Sequence, residues 1–241
     1  MTQLQQDNLF LKSLKVSETE VLKNIQSAID NNSGKLVTYF NQNSFNEYYS
    51  NPEFRKILQS NFEIFSDGKG MSFALRYLFG IKVDRFNATD LYTRLFDKFY
   101  NGNIPVYIIG GNYDNKTLNE KIKDKVILAG YTNGYFDNEE IDSVIGKIKN
   151  THVKIIGLGM GTANQEILAA QISLQVKNCI ILCVGNFFNF YLGITKRAPK
   201  FIRNSGLEWA YRLFHEPGKL WKRYLIGIPK FLIKVINLKY L

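Results

Sequence analysis

Several features that mark particular protein classes are scarce or missing in this 241-residue sequence. It has no uninterrupted apolar run of about 18 or more residues, so we expect no transmembrane helix. The N-terminus lacks the basic and apolar regions of a signal peptide. Only two cysteines occur, Cys179 and Cys183, and they are spaced too widely on a predicted strand to form a disulfide easily. We therefore expect buried thiols in a reducing compartment, the cytoplasm.

Net charge is almost absent from the first 195 residues and is concentrated in the rest. The chain carries +10, and residues 196–241 hold eleven Lys or Arg against two acidic residues, so 11 − 2 = +9 lies there and +1 elsewhere. Such a segment favours a polyanion: nucleic acid, an acidic membrane surface or a phosphorylated lipid. We predict two parts, a body at residues 1–194 and a basic, aromatic appendage at residues 195–241.

Short β-rich segments alternate with amphipathic helical segments along the body. Strands are predicted at residues 35–40, 62–65, 106–109, 126–129, 153–156 and 179–184. Helices are predicted at residues 18–30, 52–60, 71–79, 88–100, 116–123, 139–149 and 167–175, and the first 17 residues are expected to be irregular. This alternation predicts an α/β fold: a Rossmann-like, mostly parallel sheet with helices on both faces, plus a basic helical C-terminal appendage.

Glycine is concentrated in one stretch, Val153–Glu166, which joins a predicted strand to a predicted helix. Its three glycines stand at alternate positions, and Thr162 and Gln165 have capping-box spacing at the helix start. Backbone N–H groups at such a turn suit the phosphate of a ligand. The stretch contains neither the dinucleotide fingerprint G-x-G-x-x-G nor the Gly-Lys-Ser/Thr of a P-loop. A turn that only packs the strand against its helix explains the glycines equally well.

Polar residues follow three of the predicted strands. Thr38 and Asn41 lie at the end of the first strand, Asp67 follows the second, and the glycine turn follows a later one. Because ligands gather at the carboxyl ends of strands in open α/β sheets, we expect these residues at one site. Asp67 has two interpretations: an ordinary turn residue before Gly68, which is the commoner case, or a carboxylate placed as a general base.

The end of the basic segment mixes lysine with large apolar residues. Lys230 and Lys234 stand one helical turn apart, opposite an apolar face of Phe231, Ile233, Ile236 and Tyr240. This pattern favours an interfacial helix that lies on a membrane with its lysines toward lipid headgroups. The alternative is a helix that docks on the body and leaves its lysines in water.

Short strings near the C-terminus are the most specific part of the sequence. They are Arg197-Ala198-Pro199, Gly206-Leu207-Glu208-Trp209, Tyr211-Arg212-Leu213, Glu216-Pro217 and Arg223-Tyr224. Upstream, Thr38 with Asn41, Asp67-Gly68, Gly134-Tyr135-Phe136 and the segment from Gly161 to Glu166 agree with them. In order and spacing, these strings resemble the WecG/TagA/CpsF glycosyltransferases, glycosyltransferase family 26, over roughly residues 38–224.

The resemblance implies a Rossmann-like enzyme that transfers a sugar from a UDP-sugar to a polyprenyl-diphosphate-linked sugar. It implies inversion at the anomeric carbon, no metal or other cofactor, and a peripheral position on the cytoplasmic face of the bacterial membrane. The product would be a precursor of a surface polysaccharide such as capsule, exopolysaccharide, O-antigen or teichoic acid. The implied partners are the donor, the acceptor and an anionic membrane surface, with no nucleic acid, and a homo-oligomer is compatible with it.

Site residues follow from the resemblance by position. Asp67 becomes the candidate catalytic base and Thr38 a pocket residue grouped with it. Candidate donor-binding residues are Asn41, Gly110, Gly134, Tyr135, Gly159, Gly161, Gln165, Glu166 and Asn189. Candidate residues for the acceptor diphosphate or the membrane are Arg197, Arg203, Arg212, Lys219, Lys222, Arg223, Lys230 and Lys234.

Three positions depart from the family pattern: Ala163 where proline is common, Asn189 where aspartate is usual, and Gly218 where a basic residue is common. Asn189 lacks the charge but keeps an oxygen acceptor, which bears on donor identity. No Asp-x-Asp triplet occurs to hold a metal, so helix N-termini and Arg or Lys side chains are expected to neutralise the departing UDP. Two alternatives stay open: a module that binds anionic membranes or nucleic acid, and a catalytically impaired relative that binds nucleotide sugars.

Overall fold

One parallel sheet organises the molecule. The structure is a computed structural model that describes residues 1–84 and 87–240, without the side chains of Asn61, Asn204 and Lys219. Its strands are β1 Lys35–Phe40, β2 Phe62–Ser66, β3 Val106–Gly110, β4 Leu128–Thr132, β5 Ile155–Gly159 and β6 Ile180–Cys183. They lie in the order β2-β1-β6-β5-β3-β4, and every neighbouring pair is parallel. The predicted Rossmann-like α/β fold is confirmed.

Helices connect the strands and extend the chain at both ends. In the body they are α1 Gln3–Ser13, α2 Glu18–Asp30, α3 Gln42–Ser50, α4 Pro52–Asn61, α5 Gly68–Phe79, α6 Ala88–Asn101, the single turn α7 Asn115–Thr117, α8 Ile141–Lys149, α9 Asn164–Gln175 and α10 Phe187–Tyr191. The C-terminal segment adds α11 Lys200–Ser205, α12 Glu208–His215, α13 Pro217–Trp221 and α14 Gly227–Tyr240. Within residues 1–84 and 87–240, no helix combines the length and apolarity needed to cross a membrane.

The sheet is covered on both faces, as the continuous apolar strands require. On one face, which we call the α6 face, α2, α6 and α10 pack against strand residues such as Val37, Ile108 and Leu182. On the other, which we call the α9 face, α8 and α9 pack against residues such as Ile109 and Ile181. The expectation of helices on both faces is confirmed.

The chain leaves the neighbouring strands β1 and β6 toward opposite faces. After β1 it enters α3, whose Phe45 packs with Phe40 away from the α6 face. After β6 it enters α10, whose Phe187 and Phe188 pack on the α6 face. Loops that diverge in this way open a crevice at the carboxyl ends of the two strands. This is the topological switch point, where open α/β sheets bind ligands.

The N-terminal residues are helical rather than irregular. Thr2 caps α1: its Oγ1 accepts a hydrogen bond from the backbone N–H of Gln5 at 3.2 Å, and the Gln5 side chain accepts one from the N–H of Thr2 at 2.9 Å. This reciprocal capping box stabilises a helix whose apolar content is too low to signal it by periodicity. The strands β4 and β5 also begin two residues later than predicted.

The last helix, α14, packs on the body. Phe231, Val235 and Leu238 are buried in a cluster with residues of α1, α3 and α5, among them Phe45 and Met71. The Phe231 ring meets the Phe45 ring edge-on, with centroids 4.9 Å apart. The side of α14 that carries these three residues is therefore docked on the body, as the alternative interpretation of this helix proposed.

Of the four residues predicted to form the apolar face of α14, only Phe231 is buried, together with Val235 and Leu238. Ile233, Ile236 and Tyr240 are 60%, 45% and 81% exposed, so their contact with a membrane stays a prediction. Lys234 is half-buried, with Nζ 4.6 Å from the centroid of the Tyr49 ring. The division of the chain at residue 194 stays a prediction.

Candidate active site

Asp67 lies directly after β2, at the carboxyl edge of the sheet. Its Oδ1 accepts a hydrogen bond from the N–H of Ala88 at 2.9 Å, and its own N–H donates to the carbonyl of Phe40 at 3.0 Å. The carboxylate makes no capping bond to α5, the helix that it precedes. A turn residue that serves its own helix would make that bond, so the local geometry favours a carboxylate held for another purpose.

Burial raises the pKa of the Asp67 carboxyl above its ordinary value. Hydrogen bonds from Ala88 and Asn41 oppose this rise, Glu208 adds to it, and the charge of Arg223 opposes it. Glu208 and Arg223 belong to the C-terminal segment, so that segment approaches Asp67. A carboxyl with a raised pKa in a crevice is a candidate proton acceptor.

Two arginines of the C-terminal segment remain without carboxylate partners among the residues that the structure describes. Arg212 stacks over the Phe190 ring, with the guanidinium carbon 5.3 Å from the ring centroid. Arg223 lies over the Tyr224 ring at 5.6 Å, and its buried Nε has no hydrogen-bond partner in the described ranges. Both guanidinium groups have donors to offer a ligand.

Arg197 and Arg203, in contrast, are already paired. Arg197 reaches Asp90 at 2.5 Å and Asn87 at 3.0 Å, and its Nε lies 3.5 Å from Glu208. Arg203 lies 3.1 Å from the same Asp90 carboxylate. The structure thus uses these two arginines to hold the C-terminal segment against the start of α6. A role toward an acceptor diphosphate stays a prediction for them.

Thr38, Gln165 and Glu166 form a buried network under the crevice. The Glu166 carboxylate accepts hydrogen bonds from the Thr38 hydroxyl at 2.6 Å, the Gln165 amide at 2.8 Å and the N–H of Ala163 at 2.9 Å. Burial raises the pKa of Glu166, and these bonds oppose the rise. Gln165 Oε1 also accepts the N–H of Gly185 at 2.9 Å. The network joins the ends of β1, β5 and β6, and the ligand roles predicted for its members are untested.

The predicted capping box between Thr162 and Gln165 was wrong. The cap position of α9 is Ala163, one residue after Thr162, and its φ of 75° lies in the left-handed region. The Glu166 carboxylate accepts a hydrogen bond from the N–H of Ala163, and its negative charge interacts favourably with the N-terminal dipole of α9. The Thr162 hydroxyl instead accepts a hydrogen bond from Asn43 at 3.1 Å, which ties the turn to α3.

The glycines at the carboxyl edge divide into two groups. A Cβ on Gly110 would lie 2.6 Å from the carbonyl oxygen of Gly159, one on Gly159 would lie 2.7 Å from that of Gly185, and one on Gly134 would lie 2.9 Å from the Cα of Gly110. These three are required for close packing of neighbouring loops. Gly161, with φ of 87°, has nothing within 4 Å of its Cβ position, so the turn there faces open space.

Aromatic residues that the sequence reasoning missed line the β3 and β4 end of the edge. The rings of Tyr113 and Tyr131 stack with centroids 5.7 Å apart, and the Tyr113 hydroxyl donates to Asn189 Oδ1 at 2.9 Å. Asn189 Nδ2 donates to Asn186, so both ends of this amide have protein partners. Tyr135, which was predicted as a donor-binding residue, is 79% exposed. A tyrosine shortly after each of two predicted strands was the available signal.

The remaining predicted residues are spread more widely. Asn41 caps α3, where its Oδ1 accepts the N–H groups of Asn43 and Ser44 at 2.9 and 3.1 Å. Lys222 and Lys230 are exposed, and the side chain of Lys219 lies outside the described residues. The sheet therefore gathers Asp67, Thr38, Asn41 and the glycine turn at one edge, and the C-terminal segment adds Arg212 and Arg223.

Two cavities lie along the helices that cover the sheet, one lined mainly by residues of α6 and the other by residues of α8 and α9. One of about 520 Å³ is lined by Thr89, Phe190 and Arg197 among others, and so adjoins the ring that supports Arg212. The other, of about 770 Å³, is lined by Gly134, Met160 and Asn164 among others, beside the glycine turn. Asp67 lines neither of them. Among the described residues, no group of three or more His, Cys, Asp or Glu side chains is arranged to hold a metal ion.

Comparison with known families covers nearly the whole chain. The sequence profile described as the glycosyl transferase WecG/TagA/CpsF family matches residues 8–240. The match includes the sheet, the crevice and the C-terminal segment through α14. The chain belongs to the WecG/TagA/CpsF family, glycosyltransferase family 26, and is a glycosyltransferase of cell-surface polysaccharide synthesis.

Proposed function

We propose that this glycosyltransferase moves a sugar from a UDP-sugar to a polyprenyl-diphosphate-linked sugar, with inversion and without a metal or other cofactor. The observation that carries the proposal is the position of Asp67. This carboxyl stands at the carboxyl edge of the sheet, its pKa is raised by burial, and Arg223 approaches it from the C-terminal segment. A base next to a cation suits an acceptor whose hydroxyl group and diphosphate bind close together.

The reaction requires one proton transfer and one displacement. The acceptor hydroxyl oxygen attacks the anomeric carbon while Asp67 takes its proton, and the bond from that carbon to the UDP oxygen breaks, with its electron pair leaving on UDP. Because attack and departure occur on opposite sides of the carbon, the configuration inverts. A positioned general base contributes on the order of 10²–10⁴ in rate.

The acceptor diphosphate is assigned to Arg212 and Arg223. Arginine presents a planar fork of donors that matches phosphate oxygens, and neither guanidinium has a carboxylate partner among the described residues. Arg197 and Arg203 form ion pairs with Asp90 and hold the C-terminal segment in place. Only part of the positive charge of this segment is therefore free to bind a ligand.

The donor is assigned to the other side of the crevice. Its diphosphate would lie at the turn around Gly161, which faces open space, and its nucleoside near Tyr113 and Tyr135. Glu166 already complements the N-terminus of α9, so phosphate contacts would come from the turn that precedes it.

A peripheral position on the inner face of the cell membrane suits the surface of the C-terminal segment. Large apolar side chains there are more than half exposed: Phe201, Leu207, Phe214, Leu225, Ile226, Ile233 and Tyr240. Lysines stand between them, among them Lys222 and Lys230. Apolar groups buried at the headgroup boundary and lysines near anionic lipid both favour binding.

The experiment is a screen of UDP-sugars for UDP release with a synthetic polyprenyl-diphosphate sugar. We expect one donor to support transfer in EDTA, and Asp67→Asn to lower turnover strongly while UDP binding persists. Asp30→Asn, at an exposed carboxylate at the end of α2 that lines neither cavity, serves as the matched control. Absence of transfer from every donor would overturn the proposal, and activity restored only by Mg²⁺ or Mn²⁺ would overturn its metal independence.

A further inference from the structure

The order of the strands locates the reacting sugar. Along the carboxyl edge, Asp67 follows β2 and the glycine turn follows β5, with β1 and β6 between them. Strands in a sheet lie about 4.8 Å apart, so the two ends are separated by roughly 14 Å, three strand spacings. In the proposed reaction the base and the departing diphosphate stand on opposite sides of the anomeric carbon. The transferred sugar must then lie between them, over the ends of β1 and β6.

Tyr39 occupies this position. It is the next-to-last residue of β1, and its side chain is on the α6 face, where it packs half-buried against the core. Its hydroxyl lies 2.2 Å from the point that a Cβ on Gly185 would occupy, directly after β6. The hydroxyl therefore reaches across from one strand end to the other and fills the space that Gly185 leaves by having no side chain.

The Tyr39 hydroxyl lies near charged groups from both the Asp67 side and the glycine-turn side of the site. The charges of Glu166, Arg223 and Asp67 all act on its hydroxyl, and Gln165 is within hydrogen-bond reach. Burial raises its pKa above the ordinary value, and Arg223 opposes this. The group is thus a neutral hydroxyl that can both donate and accept a hydrogen bond at neutral pH.

We propose that the Tyr39 hydroxyl, over Gly185, is the contact that recognises the transferred sugar of the donor, through a hydrogen bond to one of its hydroxyl or amide substituents. The inference rests on the proposed function and assigns it a specificity residue that the family strings do not contain. A side chain at residue 185 would take the space of the Tyr39 hydroxyl, so the glycine and the tyrosine act together.

The test removes the hydroxyl of Tyr39 from the protein and, separately, one substituent at a time from the sugar of the donor. The UDP-sugar that binds the wild type most tightly in calorimetry without acceptor, and a set of UDP-sugars each lacking one substituent of that sugar, are measured with the wild type and with Tyr39→Phe. Donor affinity is measured by calorimetry without acceptor, and kcat/KM by UDP release. Tyr49→Phe, which removes a hydroxyl on α3 instead, is the matched control.

We expect Tyr39→Phe to weaken the complete donor about threefold to tenfold, the usual effect of one lost neutral hydrogen bond. One deoxygenated donor should bind the wild type and Tyr39→Phe equally, which identifies the substituent. An equal loss for every donor, or no loss for any, would overturn the inference. Because affinity is measured without acceptor, failure of transfer in the wild type would count against the proposed function and leave this readout intact.

Discussion

Replacing Phe231 by alanine tests whether α14 is part of the folded body. Phe231 is 2% exposed, and its ring packs edge-on against Phe45 at 4.9 Å. Truncation of a buried phenylalanine removes its transfer free energy and leaves a cavity, which together destabilise proteins by about 3–5 kcal/mol. Total stabilities are about 5–15 kcal/mol, so we expect a large fraction of the free energy of unfolding to be lost.

Ile233→Ala is the matched control on the same helix. Its side chain is 60% exposed, so truncation should change the free energy of unfolding by about 0.5 kcal/mol or less. Both variants are compared with the wild type by urea denaturation, followed by circular dichroism, with the slope of free energy against urea taken from each curve. Activity is not needed for the comparison.

Equal stabilities of Phe231→Ala and Ile233→Ala would refute the packing of α14 on the body. The same holds if Phe231→Ala lowers the free energy of unfolding by less than about 1 kcal/mol, far below the cost of emptying a core site. An early separate transition in the wild type, absent from a chain without α14, would show that the helix unfolds independently.

Three further predictions concern the site and the surface. Asp67 is protonated below its raised pKa, so turnover should rise with pH through that pKa in the wild type, and Asp67→Asn should lack this limb in a UDP-release profile. Thr38→Val removes a buried hydrogen bond to the Glu166 carboxylate and should cost about 1.5–3 kcal/mol in urea denaturation; no loss would refute that bond. Arg223→Ala should reduce transfer even to a short soluble acceptor, whereas Lys230→Ala should mainly weaken binding to anionic vesicles in sedimentation, an effect that salt should reduce.

Regular structure was predictable where local pattern and tertiary packing agree. Helix α2 has the predicted bounds, Glu18–Asp30, because Val21 and Ile25 recur on one face and the polar turn after Asp30 ends it. The strands were predictable because both of their faces are buried. Helix α1 was missed because few of its residues are apolar, although its capping residues, Thr2 and Gln5, were visible in the sequence.

The candidate site was predictable as a location more than as a set of contacts. Because parallel strands share a carboxyl edge, the sequence alone predicts that Asp67 and the glycine turn lie near each other. The pairing of Arg197 with Asp90 depends on how α11 and α12 dock on α6, which no local pattern encodes. Tyr39 was passed over because a tyrosine within a β-rich segment is an ordinary core residue, and its role depends on the neighbouring strand's Gly185.

The buried side of α14 changes what removal of the C-terminal segment should do. A chain that ends at residue 204 keeps all six strands, and the predicted division into a body and an appendage would lead one to expect it to fold. It would also lose Phe231, Val235 and Leu238, which cover Phe45 and Met71 in the described core. Burial of one such side chain contributes about 1.5–3 kcal/mol, so three amount to roughly 5–9 kcal/mol, comparable with the whole stability of a domain. We therefore expect the truncated chain to be unstable or to aggregate, and a truncated chain that unfolds at the same urea concentration as the full protein would refute this.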